Sequence, residues 1–155
     1  MAVDAAANDG GHELDASPWL RVEATLMSTA RAIRQAYDRR LSPLGLNLSQ
    51  ASLLAFVAEF GPHPQARLAA RLGLGRAATG TVVDQLEARG LVTRVADAAD
   101  RRVWQVGLTD AGRALAGEIA EVDVTLRDEL RTGFSRADRL QLAGMLLRLQ
   151  DNLRE

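Results

Sequence analysis

Apolar residues recur at steps of three and four over the first third of the chain, which is the spacing of one face of an α-helix. The stripe Val22, Leu26, Ala30, Ile33, Tyr37 and Leu41 predicts a long helix. We expect it to begin at Ser17-Pro18, with serine as N-cap and proline in the first turn, and to end at Ser42-Pro43. A helix of this length needs a large covering surface, which a second subunit can provide.

The next part of the chain predicts three shorter helices. The first is capped by Ser49 and stopped by Gly61-Pro62. The other two cover residues 65–72 and 76–89, each ending at a glycine, and the turn Gly73-Leu74-Gly75 joins them. Two short helices with one buried face each and a glycine-bearing turn are the pattern of a helix-turn-helix.

Two strand-like segments follow, residues 91–95 and 103–108, with the polar loop 96–102 between them. Thr109 then caps a helix that runs to about residue 132, and Ser135 with Asp138 forms a capping box for a last, leucine-striped helix. The predicted fold is therefore mostly α with a small β-hairpin wing (α+β). It is a winged helix-turn-helix between long N- and C-terminal helices.

Composition excludes several classes of function. The 155 residues include no cysteine, so disulfides, thiol catalysis and thiolate metal sites are ruled out. His12 and His63 are isolated, and no nucleophile-elbow sequence occurs, so we expect no metal site, no cofactor and no enzymatic activity. No apolar run approaches a membrane span, and the N-terminus lacks the pattern of a secretory signal, so a cytoplasmic protein is expected.

The charges are unevenly placed. All 19 basic residues are arginine, and the formal net charge is −1. Between Pro62 and Trp104, seven arginines (67, 71, 76, 89, 94, 101, 102) face four acids (84, 87, 97, 100), a surplus of three positive charges. A basic winged helix on an acidic body suits DNA phosphates. The second helix of the helix-turn-helix, residues 76–89, is the recognition helix and would enter the major groove. The hairpin tip would enter the minor groove.

Residues 44–112 resemble the MarR (multiple antibiotic resistance regulator) family of winged-helix repressors. The resemblance rests on Leu44-Gly45-Leu46-Asn47-Leu48-Ser49-Gln50, Leu68-Ala69-Ala70-Arg71-Leu72-Gly73, Val83-Asp84-Gln85-Leu86-Glu87-Ala88-Arg89-Gly90-Leu91-Val92, Asp97-Ala98-Ala99-Asp100-Arg101-Arg102 and Leu108-Thr109-Asp110-Ala111-Gly112. It implies a homodimer that binds a pseudo-palindromic operator in double-stranded DNA. It also implies a repressor that a small aromatic or phenolic ligand releases; the ligand-binding residues stay unknown.

The expected wing contacts follow from the same resemblance. Arg102 matches the family's wing arginine, which enters the minor groove. Asp100, two residues earlier, can accept a hydrogen bond from Arg102 and direct it. Arg101 is expected to bind phosphate or to support the hairpin.

In the recognition helix, the expected DNA-facing residues lie off the apolar stripe: Arg76, Ala77, Gly80, Thr81 and Gln85. Gln65, at the start of the preceding helix, is expected to contact a phosphate. Positions 81 and 85 are often arginine in the family, and Gly80 replaces a hydroxyl residue. We therefore expect weaker binding to DNA phosphates and an altered preference among DNA sequences. Gly80 would permit close approach of the helix backbone to DNA.

The predicted organisation is a disordered tail, residues 1–16, and a single MarR-type domain, residues 17–155. Residues 17–47 and 109–155 form its dimerisation helices and 48–108 its DNA-binding head. The aromatic residues Trp19, Tyr37, Phe56 and Trp104 are expected in the core or the dimer interface, with the lining of a ligand pocket as the alternative. Two alternatives stay open: a constitutive repressor that needs no ligand, and a winged-helix module for protein–protein interaction.

Overall fold

The computed structural model describes Ser17 and residues 21–154, so the predicted tail lies outside the described residues. The elements in chain order are α1 (Val22–Leu41), a 3-10 turn (Ser42–Leu44), α2 (Leu48–Phe60), β1 (His63–Pro64), α3 (Gln65–Leu72), α4 (Arg76–Ala88), β2 (Val92–Ala96), β3 (Trp104–Leu108), α5 (Asp110–Leu130) and α6 (Arg136–Asn152). This order confirms the predicted winged helix-turn-helix, mostly α with a hairpin wing.

The chain divides after Leu48 into two compact units. In the first unit, α1 begins at Val22, and its N-cap is Arg21 without a side-chain cap. The predicted start at Ser17-Pro18 is therefore wrong: Ser17 is not helical, and residues 18–20 lie outside the described residues. Leu41 is the buried residue of α1, so most of its apolar stripe is open in the single chain.

The start of α2 also differs from the prediction. The helix begins at Leu48, which places Ser49 inside it rather than at the N-cap. The backbone N–H of Leu48 donates to Oδ1 of Asp38 at 2.7 Å. A carboxylate ten residues upstream thus satisfies an unpaired N–H at the helix start, as a neighbouring cap would.

The second unit contains a three-stranded antiparallel sheet in the order β1-β3-β2. The hairpin pairs Val92 with Leu108 and Ala96 with Trp104, which confirms the predicted wing. Strand β1 pairs His63 with Val106, a strand that was not among the elements predicted from the sequence. A two-residue strand with proline fits a sheet edge, where a missing N–H costs little, and it is too short to show periodicity.

The helix-turn-helix packs against this sheet. Helix α3 contacts α4, β1 and β3, and α4 contacts β2. The fully buried side chains include Leu53 and Leu54 of α2, Leu68 of α3 and Val83 and Leu86 of α4. The turn between α3 and α4 begins at Gly73, whose left-handed φ of 63° ends α3 as predicted.

The two C-terminal helices carry the predicted caps. The hydroxyl of Thr109 accepts the N–H of Gly112 at 3.0 Å at the start of α5. Ser135 and Asp138 form the reciprocal capping box of α6. Helix α6 has no buried residue in the single chain.

A search of the described residues for membrane spans finds no single helix that is long and apolar enough. One pair of helices, Val22–Leu44 with Leu48–Phe60, meets the test only when the two are taken together, by length and composition alone.

Candidate nucleic-acid interface

Helix α4 turns one face inward and leaves the other open. Its buried residues are Thr79, Val82, Val83 and Leu86. The predicted DNA-facing residues Arg76, Ala77, Thr81 and Gln85 are all exposed, whereas Gly80 is half-buried at the side of the helix next to α3. The hydroxyl of Thr81 donates to the carbonyl oxygen of Ala77 at 3.2 Å, so part of its capacity is used within the helix.

Gln65 lies at the first position of α3, directly after Pro64. A Cβ added to Gly80 would lie 3.1 Å from Nε2 of Gln65. Gln65, Ala66 and Arg76 line a hollow of about 120 Å³. Three predicted site residues, Gln65, Arg76 and Gly80, thus lie close together, between the first turn of α3 and the first two turns of α4.

Gln85 is held by a residue that the sequence analysis did not select. Nε2 of Gln50, on α2, donates to Oε1 of Gln85 at 3.0 Å. Gln50 ends one of the segments that carry the family resemblance, but nothing in its spacing indicates a partner 35 residues away. The pair fixes the side chain of Gln85 on the side of α4 that adjoins α2.

Arg94 also belongs to the candidate interface, although the sequence did not indicate it as a site residue. Its guanidinium lies between two carboxylates of α4: Nη2 is 2.5 Å from Oδ1 of Asp84, and Nη1 pairs with Glu87. The hydrogen bond to Asp84, together with the charges of both carboxylates, raises the pKa of Arg94 above its ordinary value. Because Arg94 lies on β2, this pair of bridges ties the wing to the recognition helix.

Two aspartates organise the wing loop. Oδ1 of Asp97 accepts the backbone N–H groups of Ala99 at 2.7 Å and Asp100 at 3.0 Å, and Oδ2 accepts the side-chain amide of Gln105. Oδ1 of Asp100 accepts the backbone N–H of Arg102 at 3.0 Å. The predicted bond between Asp100 and Arg102 therefore forms, but through the main chain of Arg102 and not through its guanidinium.

The tip of the wing presents charge and one large aromatic ring. Arg101 and Arg102 are both exposed, and within the described residues neither guanidinium has a hydrogen bond or ion pair. Trp104 is 59% exposed, so it does not fill the core of the single chain, and its place in a dimer interface stays a prediction. It shares a sheet face with buried Val106 but lies beyond the end of the core, where the hairpin extends into solvent.

No group of three or more His, Asp or Glu residues that could hold a metal ion occurs in the described part of the chain. Among the described residues, the side chains around α4 and the wing that have no internal partner include the amide of Gln65 and the guanidinium groups of Arg101 and Arg102. Such groups match base edges and phosphates, respectively.

An exposed second helix, a hairpin tip that carries two exposed arginines and a supporting three-stranded sheet define a winged helix-turn-helix protein. The profile of the MarR family matches residues 44–103. The crystal structure of transcriptional regulator PA3341 is 32% identical with a TM-score of 0.78; the match covers 84% of this chain and 96% of that one. The chain belongs to the MarR family of transcriptional regulators.

Two structures of the regulator CouR are also similar to this chain. The transcriptional repressor CouR bound to a 23-mer DNA duplex is 25% identical with a TM-score of 0.76, and the match covers 94% of this chain and 99% of that one. CouR from Rhodococcus jostii RHA1 bound to p-coumaroyl-CoA is 26% identical with a TM-score of 0.76, covering 83% and 90%. These relatives are transcriptional regulators, a class of protein that is not enzymatic.

Proposed function

We propose that two copies of this chain bind a pseudo-palindromic DNA operator, repress transcription there, and are released by a small aromatic or phenolic ligand. The observation that supports DNA binding most directly is that three arginines around α4 and the wing have unpaired guanidinium groups in the part of the chain that the structure describes. Among the described residues, the guanidinium groups of Arg76, Arg101 and Arg102 have no internal partner, whereas that of Arg94 is doubly paired. Unpaired exposed cations at both reading elements suit phosphate contact and minor-groove entry.

The homodimer is supported by the apolar surface of α6. Leu140 and Leu147, two turns apart on one face of the helix, are 64% and 58% exposed, and no residue of the helix is buried. Contiguous apolar surface of this kind marks an association site in a water-soluble protein. The occupant we propose is α6 of a second copy, since a two-fold interface is self-complementary and yields two identical winged heads for a two-fold operator.

The regulatory part of the proposal is supported by the relative CouR. That repressor binds a DNA duplex in one structure and p-coumaroyl-CoA, the thioester of a phenolic acid, in another. We propose a ligand of the same broad chemistry for this chain, and release of DNA as its effect.

The first experiment is a selection of bound duplexes from a random DNA library, followed by a salt titration on the enriched duplex. We expect a two-fold palindrome with half-sites about one helical turn apart, and an affinity that falls steeply with salt. Arg102→Gln should weaken binding and flatten the salt dependence. Arg131→Gln, which removes the same charge at the C-terminal end of α5, is the matched control.

Other outcomes would favour the alternatives. No enrichment and no salt-dependent binding would overturn DNA recognition and favour a protein–protein interaction module. Enrichment without any thermal shift or DNA release across a panel of aromatic and phenolic acids and their thioesters would favour a constitutive repressor. A reporter gene placed behind the selected site tests the sign of regulation: repression predicts higher expression when the gene for this protein is deleted.

A further inference from the structure

The contact between Gly80 and Gln65 sets the shape of the recognition surface. The Gln65 side chain reaches from the first residue of α3 to the second turn of α4, where its Nε2 would lie 3.1 Å from a Cβ at position 80. That distance is shorter than an ordinary van der Waals contact. A Cβ at position 80 would therefore displace the Gln65 amide by a few tenths of an ångström from the position that it holds beside α4.

Apart from the guanidinium of Arg76, the other polar side chains named on this part of α4 are already engaged. The Thr81 hydroxyl bonds to the helix backbone, Asp84 is paired with Arg94, and Oε1 of Gln85 accepts from Gln50. The amide of Gln65, by contrast, has no hydrogen bond within the described residues. Its donor and its acceptor are both available at the mouth of the hollow lined by Gln65, Ala66 and Arg76.

We propose that Gln65 is a base-reading residue that selects an A·T pair in the major groove, and that Gly80 is the positioning residue that makes room for it. This inference rests on the proposed DNA binding. A glutamine amide matches adenine because it accepts from N6 and donates to N7 at the same time. The N-terminal part of a recognition helix lies against the base edges, so an amide lying over its second turn is within the groove.

The proposal assigns these residues roles that differ from those expected from the sequence. Gln65 reads a base instead of binding a phosphate, and the absent side chain at position 80 serves the neighbouring helix instead of admitting the DNA backbone. Because the amide carries no charge, its loss should leave the salt slope unchanged, so its role is measured by sequence preference.

The test uses the full chain and the duplex selected by the wild-type protein. Affinities are measured for that duplex and for duplexes in which each base pair of a half-site is replaced in turn. We expect Gln65→Ala to lower discrimination at one A·T pair by between about 5-fold and about 140-fold, with an unchanged salt slope. Gly80→Ala should lower discrimination at the same pair, and the double variant should lose little more than either single variant.

Gly117→Ala is the control for the glycine-to-alanine change, because position 117 is also helical and a Cβ there meets nothing within 4 Å. Uniform weakening of all duplexes by Gln65→Ala, with no loss of discrimination at any one base pair, would make Gln65 a phosphate contact and overturn the inference. Additive effects, or effects at different base pairs, would overturn the link to Gly80. If the wild-type chain selects no sequence at all, the proposed DNA-binding function itself fails. If the wild-type chain selects a sequence and the variants leave that selection unchanged, only the inference about Gln65 and Gly80 fails.

Discussion

Gly112, in the first turn of α5, lies directly against the carbonyl oxygen of Leu91. A Cβ at position 112 would overlap that oxygen and would come within 3.4 Å of Cδ2 of Leu108. The same carbonyl accepts the backbone N–H of Thr109 at 3.1 Å and its hydroxyl at 3.2 Å. The Leu-Thr-x-x-Gly sequence after the wing is thus explained by one crowded junction, where the capping threonine and the glycine close on the chain entering β2.

Gly112→Ala should therefore destabilise the fold. Because the obstacle is backbone and cannot rotate away, we expect a loss of about 3 kcal/mol in the free energy of unfolding, measured by chemical denaturation. The control Gly117→Ala should raise stability by about 0.5–1 kcal/mol, since alanine is the better helix former and nothing opposes its methyl group. Equal stabilities of the two variants would contradict this account of the junction.

Arg94→Lys should weaken DNA binding more than it weakens the fold. Lysine keeps the positive charge but presents a single ammonium, so it cannot bridge Asp84 and Glu87 as the guanidinium does. The carboxylates are partly solvent-exposed, so the loss of stability should be under about 1 kcal/mol. We expect an affinity loss of about fivefold at an unchanged salt slope, because the wing is no longer held to α4. An affinity equal to that of the wild type would show that the bridge does not align the two elements.

Trp104 should report binding at the wing. Its exposed ring lies two residues after Arg102, so entry of the wing into a groove should change its surroundings and its fluorescence. Trp19, the other tryptophan of the chain, lies outside the described residues, and Trp19→Phe isolates the signal. We expect the emission of this variant to change on titration with the selected duplex, with Arg102→Gln shifting the midpoint to higher DNA concentration. A constant spectrum at saturation would place the wing away from the DNA.

The proposed dimer predicts a concentration-dependent assembly. Leu140→Glu with Leu147→Glu puts two charges on the open face of α6, and burying unpaired charges is strongly unfavourable. Light scattering should show a dimer for the wild type and a monomer for this variant at micromolar concentration. Arg148→Glu, an exposed position on the same helix, controls for added acidity. A wild-type monomer at these concentrations would contradict the assembly.

Acid should weaken the cap of α6. Hydrogen bonds from the hydroxyl and then from the backbone N–H of Ser135 lower the pKa of Asp138 below its ordinary value of 3.8. The ionised carboxylate therefore stabilises the helix above that ordinary value, and this contribution disappears as pH falls through the lowered native pKa. In denaturation at several pH values, Asp138→Asn should be less stable than the wild type near neutral pH. The gap should close under acidic conditions, and a gap independent of pH would contradict the assignment.

Local signals were sufficient to predict much of this fold. Periodicity located the helices, and glycine and hydroxyl residues located turns such as Gly73 and caps such as Thr109 and Ser135. One error arose where a distant residue replaced a local one: Asp38 satisfies the start of α2 in place of Ser49. The same limit applies to the candidate surface, because the Gln50–Gln85 pair and the bridges of Arg94 join separate elements. Periodicity assigns a residue to a face of its own helix but does not identify its partner.

The hydrogen bonds of the wing loop among the described residues all close between positions 97 and 105. The shape of the tip therefore depends on Asp97, Asp100 and Gln105, which belong to the wing itself, and not on side chains of the helices. Arginines can be gained, lost or moved within it without disturbing the fold of the head. The DNA contacts made by the wing tip can thus change between duplicated genes without a change in the recognition helix. For the same reason, a tip from another protein can be grafted onto this head.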